Sequence, residues 1–395
     1  MLIQTRYLAC HPTNNACDMS IATGFATKDG TARYHHRQPQ GHPGHVRDLQ
    51  GCHASSIGFG TYLGDPDAQT DERYAGAIDA ALQHGCNVID TAINYRCQRS
   101  ERVIGKTLER LIQEGRIARD ELLLCTKGGY LPFDAEFPAD PQRYVLKHFL
   151  EPGILPYDEF VAGCHCLHPR YLDHQLAASL HNLRVETVDV YYLHNPEQQL
   201  EEVSREQLRH RMEAAFTWLE RKAQDGAVRL YGTATWNGYR ANPAARDHLS
   251  LQELVTLARQ VGGAHHHFRV IQLPFNLAMP EAHAFPNQAV DGQWMSVLEA
   301  ANRLGVSVVT SASLLQSRLI KLPASMAHFI PTLETDAQRS LQFARSTPGI
   351  TTALVGMQRK EHVEENLKLA GLPPLSSDQV AQLFTKTNTP YGATS

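Results

Sequence analysis

Eight short apolar segments recur between residues 55 and 357, and each is separated from the next by a segment with apolar residues at helical spacing. The apolar segments NVID (87–90) and VDVYYL (188–193) lack the polar alternation of a strand with one solvated face. Buried parallel strands joined by helical crossovers explain both features, and eight such units close into a barrel. The sequence therefore predicts an α/β fold of the (β/α)8 TIM barrel type.

The strand and helix boundaries follow from the same alternation. Strands are predicted at residues 55–62, 87–92, 121–127, 187–194, 227–235, 268–275, 306–313 and 350–357. Helices are predicted at residues 71–85, 101–112, 171–183, 205–226, 249–262, 294–305, 336–346 and 360–371. An open doubly wound sheet is the alternative. It is disfavoured because GFGTYLG, and not GxGxxG, follows the start of the first strand.

The flanking segments and one long insertion differ from the barrel segments. Residues 1–50 are polar and rich in His, Gly and Pro, which indicates a loose N-terminal extension with a hairpin around TARYHHR (31–37). The barrel domain is expected at residues 51–375 and a C-terminal tail at 376–395. The insertion at 128–168 follows the third strand, and loops of this length are usually functional lids or disordered.

Composition excludes several classes of protein. The chain has 395 residues, 42% of them apolar and 20% charged, with a net charge of −4 and no basic stripe, which argues against nucleic-acid binding. No apolar run reaches the length of a membrane span. Eight irregularly spaced cysteines and an N-terminus without an apolar export signal favour reduced thiols in a cytoplasmic protein.

Ionisable side chains of different types stand at or just after three predicted strand ends. Asp90 ends the second strand, Tyr95 lies in the loop after it, and Lys127 and His194 end the third and fourth strands. Strand ends converge on one mouth of a barrel. There, a carboxylate could hold the ammonium, the ammonium could lower the pKa of the phenol, and an imidazole could orient a carbonyl group. This set is suited to polarising and protonating a C=O group.

The segments GFGTYLG, IDTAINYR, LLLCTKGG and VDVYYLHNPE resemble the aldo-keto reductase family in order and spacing, within a similarity that spans roughly residues 55–370. The resemblance implies a (β/α)8 barrel and hydride transfer between a nicotinamide cofactor and a carbonyl or secondary alcohol, without a metal. It assigns the catalytic tetrad to Asp90, Tyr95, Lys127 and His194, with Tyr95 as proton donor or acceptor.

The resemblance also implies a cofactor site. The residues assigned to it are Gly60, Thr61, Asp90, Thr235, Gln272, Ser311, Gly356, Arg359, Glu365 and Asn366. Many relatives carry a Ser-Asn pair where this chain has Ala234 and Thr235, and a Lys, Ser and Arg clamp that this chain lacks. NADP(H) is favoured by the family and by the neighbouring cations Arg359 and Lys360, while NAD(H) is the alternative.

Other assignments leave alternatives open. Tyr62, Tyr130 and Trp236 are candidates for the substrate pocket, and the small-molecule carbonyl or alcohol is not identified. The run GCHCLHP (163–169) suggests zinc, but its spacing favours packing of the insertion. HHH (265–267) is interpreted as a solvated loop. A monomer is expected. A non-catalytic cofactor-binding scaffold and an NAD-dependent sugar or lactol dehydrogenase are the alternative functions.

Overall fold

The computed structural model describes residues 21–323, 330 and 333–386, and within them eight parallel strands close into a barrel. The predicted (β/α)8 fold is confirmed. The barrel strands are β3 (Ile57–Gly60), β4 (Val88–Asp90), β5 (Leu123–Gly128), β6 (Val188–His194), β7 (Val228–Ala234), β8 (Phe268–Pro274), β11 (Ser307–Ser311) and β12 (Thr352–Gly356). Their order around the barrel follows the chain, and β12 closes against β3.

Helices surround the barrel, and short antiparallel strands lie outside it. The hairpin strands are β1 (Val46–Leu49) with β2 (Cys52–Ser55), and β9 (Gln288–Val290) with β10 (Gln293–Met295). The helices are α1 (Lys28–His36), α2 (Ala68–Gln83), α3 (Arg99–Gln113), α4 (Pro141–Val145), α5 (Pro169–Leu183), α6 (Arg205–Gln224), α7 (Leu251–Gly262), α8 (Glu281–Ala284), α9 (Val297–Leu304), α10 (Asp336–Ser346), α11 (Lys360–Leu367) and α12 (Ser377–Lys386). No helix in the described ranges combines the length and apolarity needed to cross a bilayer.

Two apolar layers stabilise the barrel. The outer layer lies between strands and helices, where α3 approaches α5 so closely that a Cβ atom on Gly105 would lie 2.2 Å from the Asn182 carbonyl oxygen. The inner layer fills the barrel with side chains such as Val190 and Val270. Leu49 and Cys52 of the β1–β2 hairpin belong to the inner layer, so the hairpin contributes to the packing of the barrel interior.

The N-terminal extension is folded where the structure describes it, and the hairpin expected at residues 31–37 is wrong. That stretch lies largely in α1, which Thr27 caps by accepting a hydrogen bond from Gly30 N–H. Tyr34 Oη donates to the Leu82 carbonyl at 2.6 Å, and Arg37 pairs with the buried Glu121 at 2.6 Å. These distant contacts stabilise the helix. Residues 1–20 lie outside the described part.

The insertion and the C-terminal segment are also ordered against the barrel. Around Phe149, the insertion forms a small apolar cluster that includes Cys166 and Tyr171. An isolated antiparallel bridge between Tyr130 and His165 joins the start of the insertion to its end. In the predicted tail, residues 377–386 form α12, and its Val380 and Leu383 side chains are buried.

Candidate active site

Asp90 and Lys127 form a buried ion pair at the ends of β4 and β5. Lys127 Nζ donates to Asp90 Oδ1 at 2.5 Å and to the Thr91 carbonyl at 2.7 Å, and Gln272 Nε2 donates to Asp90 Oδ2 at 2.8 Å. Burial raises the pKa of the Asp90 carboxyl, and the ammonium and the amide oppose that rise. Burial also disfavours the Lys127 ammonium, but Asp90 and Tyr95 outweigh it and the pKa of Lys127 is raised. The geometry therefore holds a charged ammonium in the barrel mouth.

Tyr95 lies over this pair. Lys127 Nζ is 4.9 Å from the centroid of its ring, and the ring of Tyr62 packs edge-on at a centroid distance of 5.1 Å. Burial raises the pKa of Tyr95, while the Lys127 ammonium lowers it and offsets part of the rise. Lys127 therefore acts on the pKa of Tyr95 in the predicted direction, but the effect of burial is larger.

The loop after Tyr95 has an unusual backbone. Arg96, Cys97 and Gln98 all have positive φ, between 49° and 68°. Such conformations are strained for residues with side chains and concentrate at functional sites. The Arg96 guanidinium stabilises the loop, since it pairs with Asp71 at 2.6 Å and donates to backbone carbonyls of residues 65 and 67. No sequence motif indicated this strain.

His194 completes the predicted set of four. Its ring packs edge-on against Tyr95 at a centroid distance of 5.9 Å and against Tyr130 at 4.9 Å. Burial and the nearby Lys127 ammonium hold the pKa of His194 well below its ordinary value, so the imidazole is neutral at physiological pH. Its Nδ1 atom is buried without a hydrogen-bond partner among the described residues.

A groove runs beside Tyr95 and contains most of the residues assigned to the cofactor. Six of them line it: Gly60, Thr61, Asp90, Gln272, Ser311 and Gly356. Gly60 pairs with both Asp90 and Gly356 in the strand register, which brings the ends of β3, β4 and β12 side by side. Thr61 Oγ1 donates to the Asp90 carbonyl at 3.2 Å.

The loop after β11 adds residues that sequence reasoning missed. Ser313, Gln316 and Ser317 line the groove, and Ser313 Oγ is buried without a partner in the described ranges. Leu315, Gln316 and Ser317 have positive φ. Backbone N–H groups in a turn can form an anion-binding concavity. Thr235 Oγ1 is likewise buried and unpartnered among described residues. These groups fit a phosphate-bearing ligand with a polar end.

Four residues assigned to the cofactor do not line the groove, namely Thr235, Arg359, Glu365 and Asn366, and neither does the substrate-pocket candidate Trp236. Arg359 is exposed at the start of α11, and Glu365 accepts a hydrogen bond from Thr335 Oγ1 at 2.6 Å. Asn366 is buried, with an unpartnered Oδ1 among the described atoms. Trp236 is 42% exposed and borders a neighbouring cavity, where its backbone N–H donates to Glu197 Oε1 at 2.7 Å.

The two His clusters have hydrogen-bonding roles. His165 is fully buried and bonds to the His194 carbonyl, and His267 pairs with Glu220 at 2.6 Å. His266 is only 2% exposed, so the HHH segment is not a fully solvated loop as expected. Among the described residues, no group of three or more His, Cys, Asp or Glu side chains is placed to hold a metal ion.

Comparisons with known proteins agree with the barrel fold. Residues 56–251 match the Aldo/keto reductase family. A Schizosaccharomyces pombe protein, a putative voltage-gated potassium channel subunit beta, is 23% identical over 84% of this chain and 89% of its own length. Residues 56–251 therefore belong to the aldo/keto reductase family.

Solved structures share the fold. An aldo/keto reductase from Klebsiella pneumoniae in complex with NADP and acetate is 20% identical, with a TM-score of 0.55 over 87% of this chain and 95% of that chain. The holo form of an aldo-keto reductase from Bacillus halodurans is 19% identical, with a TM-score of 0.59 over the same shares.

Proposed function

We propose that this protein is an NADP(H)-dependent oxidoreductase that interconverts a small-molecule carbonyl and the corresponding alcohol. The observation that carries the proposal is the meeting of Asp90, Lys127, Tyr95 and His194 at neighbouring strand ends beside one groove. Membership of a family of reductases supports the reaction class.

The proton chemistry follows from the contacts. In the reductive direction Tyr95 gives its proton to the carbonyl oxygen, and the ammonium of Lys127 stabilises the phenolate left behind. Asp90 keeps Lys127 charged and in place. His194 is neutral because its pKa is lowered, so it can donate a hydrogen bond to the carbonyl oxygen without competing as an acid. A bound nicotinamide cofactor would supply the hydride.

Residues of the groove are proposed to hold this cofactor. Gln272, which lines the groove, and Thr235, which follows β7 and has a buried Oγ1 without a partner among the described residues, are proposed to contact the nicotinamide. Ser311, Ser313 and the left-handed turn at residues 315–317 are proposed for the pyrophosphate. NADP(H) is favoured because the Klebsiella pneumoniae neighbour is a complex with NADP and because Arg359 and Lys360 are exposed near the chain segment assigned to the ribose. NAD(H) is the alternative.

We also propose that the protein is a cytoplasmic monomer with Tyr62, Tyr130 and Trp236 around its substrate. The six described cysteines are free, which suits a reducing compartment. Tyr62 and Tyr130 contact the rings of Tyr95 and His194, respectively, so an organic substrate at those rings would meet them.

Fluorescence titration with NADPH and NADH tests the proposal, and Tyr95→Phe is the matched variant. Wild type should bind at least one cofactor and reduce carbonyl compounds from a panel. Tyr95→Phe should bind that cofactor equally well but lose turnover, because it retains the ring and lacks the proton. Full turnover by Tyr95→Phe would refute the proton-donor role, and binding of neither cofactor by wild type would refute the reaction class.

A non-catalytic cofactor-binding scaffold is the second candidate, favoured by the name of the Schizosaccharomyces pombe relative. It predicts tight binding of NADPH without oxidation of the bound cofactor by a carbonyl compound. A single-turnover experiment with prebound NADPH distinguishes the two, because the scaffold would leave the cofactor reduced in the presence of every carbonyl in the panel.

A further inference from the structure

His165 connects the insertion to the catalytic imidazole, and its protonation pattern can be deduced. Arg211 Nη1 donates to the side-chain oxygen of Gln199, which fixes the orientation of that amide because a guanidinium can only donate. The Gln199 amide nitrogen then donates to His165 Nδ1 at 2.7 Å. His165 Nε2 therefore carries the proton and donates to the backbone carbonyl of His194 at 2.7 Å.

Tyr130 packs against the His194 side chain, whereas His165 contacts the His194 backbone. The Tyr130 ring packs edge-on against both His165 and His194, each at a centroid distance of 4.9 Å. The phenol is itself fixed, since its Oη accepts from Asn195 Nδ2 at 3.1 Å and donates to Gln198 Oε1 at 3.0 Å. The His194 imidazole is thus confined by Tyr130, while its backbone is confined by His165.

The backbone around this contact is shaped to permit it. Asn195, directly after His194, has a φ of 46°, and its N–H donates to the Ala234 carbonyl at 2.6 Å. At Gly129, φ is 130°, and a Cβ atom there would lie 2.9 Å from His165 Nε2. The chain therefore makes room for one buried imidazole at the point where His194 leaves its strand.

We propose that His165 is a positioning residue that sets the place of the His194 imidazole, so that the insertion at 128–168 completes the active site. The kinetic consequence depends on the proposed function, whereas the structural one does not. His165 does not line the cofactor groove. Its loss should therefore alter the orientation of the substrate carbonyl and leave cofactor binding unchanged.

Three variants test the kinetic consequence. His165→Leu removes the donor, His165→Gln places an amide N–H near the position of Nε2, and Cys166→Ala perturbs the neighbouring buried side chain without touching His194. A misplacement of about 1 Å at a catalytic group can lower the rate by about 10²-fold. We expect such a loss of kcat in His165→Leu with an unchanged NADPH affinity, substantial rescue in His165→Gln, and near-normal kcat in Cys166→Ala.

A readout that needs no substrate separates this proposal from the proposed reaction. Histidine-selective 13C labelling, with the His194 signal assigned by its loss in His194→Asn, reports the titration of that imidazole. In wild type the signal should not titrate near neutral pH, and in His165→Leu its pKa should move toward the ordinary value of about 6.5. If wild type turns over no carbonyl, the reaction class fails but this titration still decides the role of His165.

Two results would overturn the positioning role. One is an unchanged His194 titration in folded His165→Leu, and the other is a kcat loss in Cys166→Ala equal to that in His165→Leu. If His165→Leu does not fold, Gln199→Met takes its place, because it keeps His165 but removes the amide that sets its tautomer. An unchanged His194 titration in that variant would then refute the proposal, and a shifted one would support it.

Discussion

Replacing Lys127 by Met removes the ammonium beside the proposed proton donor. Lys127 Nζ lies 4.9 Å from the centroid of the Tyr95 ring. With an effective dielectric constant of about 20, a unit charge at that separation stabilises a phenolate by roughly 3 kcal/mol. This energy corresponds to about 2 to 3 pKa units. Burial already raises the pKa of Tyr95, so without Lys127 the phenol is a still weaker acid, and kcat for carbonyl reduction should fall by about 10²-fold.

Steady-state oxidation of NADPH, followed by its absorbance over a range of pH, measures this effect. Reduction needs the protonated phenol, so activity is lost as pH rises through the pKa of Tyr95, and in Lys127→Met that loss should move to higher pH. Lys127→Arg retains a positive charge and is the matched control. Equal losses in Lys127→Met and Lys127→Arg, or no shift of the alkaline limb in Lys127→Met, would refute the electrostatic argument.

Three further predictions concern stability and metals. Burial lowers the pKa of His45 to about 3 and that of His165 to about 4. Between about pH 7 and about pH 5 these imidazoles are therefore protonated in the unfolded chain but not in the folded chain. Each of them lowers the free energy of unfolding by roughly 2 kcal/mol over that range. In denaturant melts, His45→Gln should lose less unfolding free energy than wild type between these two pH values, by about that amount. A loss of stability equal to that of wild type would contradict the prediction. Glu197 Oε1 accepts from the backbone N–H groups of residues 236–238. Glu197→Ala should therefore lose about 1–3 kcal/mol in thermal melts and change the Trp fluorescence, whereas Glu197→Gln should not. Dialysis against a chelator should leave turnover unchanged, and a loss that zinc restores would show a metal requirement.

The strands and the central residues of the candidate site were predictable from the sequence. An uninterrupted apolar run such as VDVYYL is compatible with a strand buried on both faces, and eight runs separated by helical segments leave few architectures. Parallel strands all end at the same mouth, so Asp90, Lys127 and His194 could be placed together without knowing any contact. Gly60 and Gln272 were assigned by the resemblance to the aldo-keto reductase family, and both lie in strands of the barrel.

Long-range contacts decided the rest. The α1 segment has no clear apolar period, and it is stabilised by partners such as Leu82 and Glu121 that lie far along the chain. The loops after Tyr95 and after β11 have non-glycine residues at their positive-φ positions, so no residue type in the sequence indicated their strain.

The GCHCLHP segment shows most clearly where prediction from the sequence ends and tertiary structure decides. Its composition suggests a metal site, and its spacing argues only against one. That His165 instead donates to the His194 carbonyl depends on how the insertion folds back onto the barrel. The sequence by itself determined the period-based elements and the residues at their ends, because that information is local. Only the tertiary structure decided which insertion residue meets which catalytic group, because that contact joins segments whose separation in the chain carries no periodic signal.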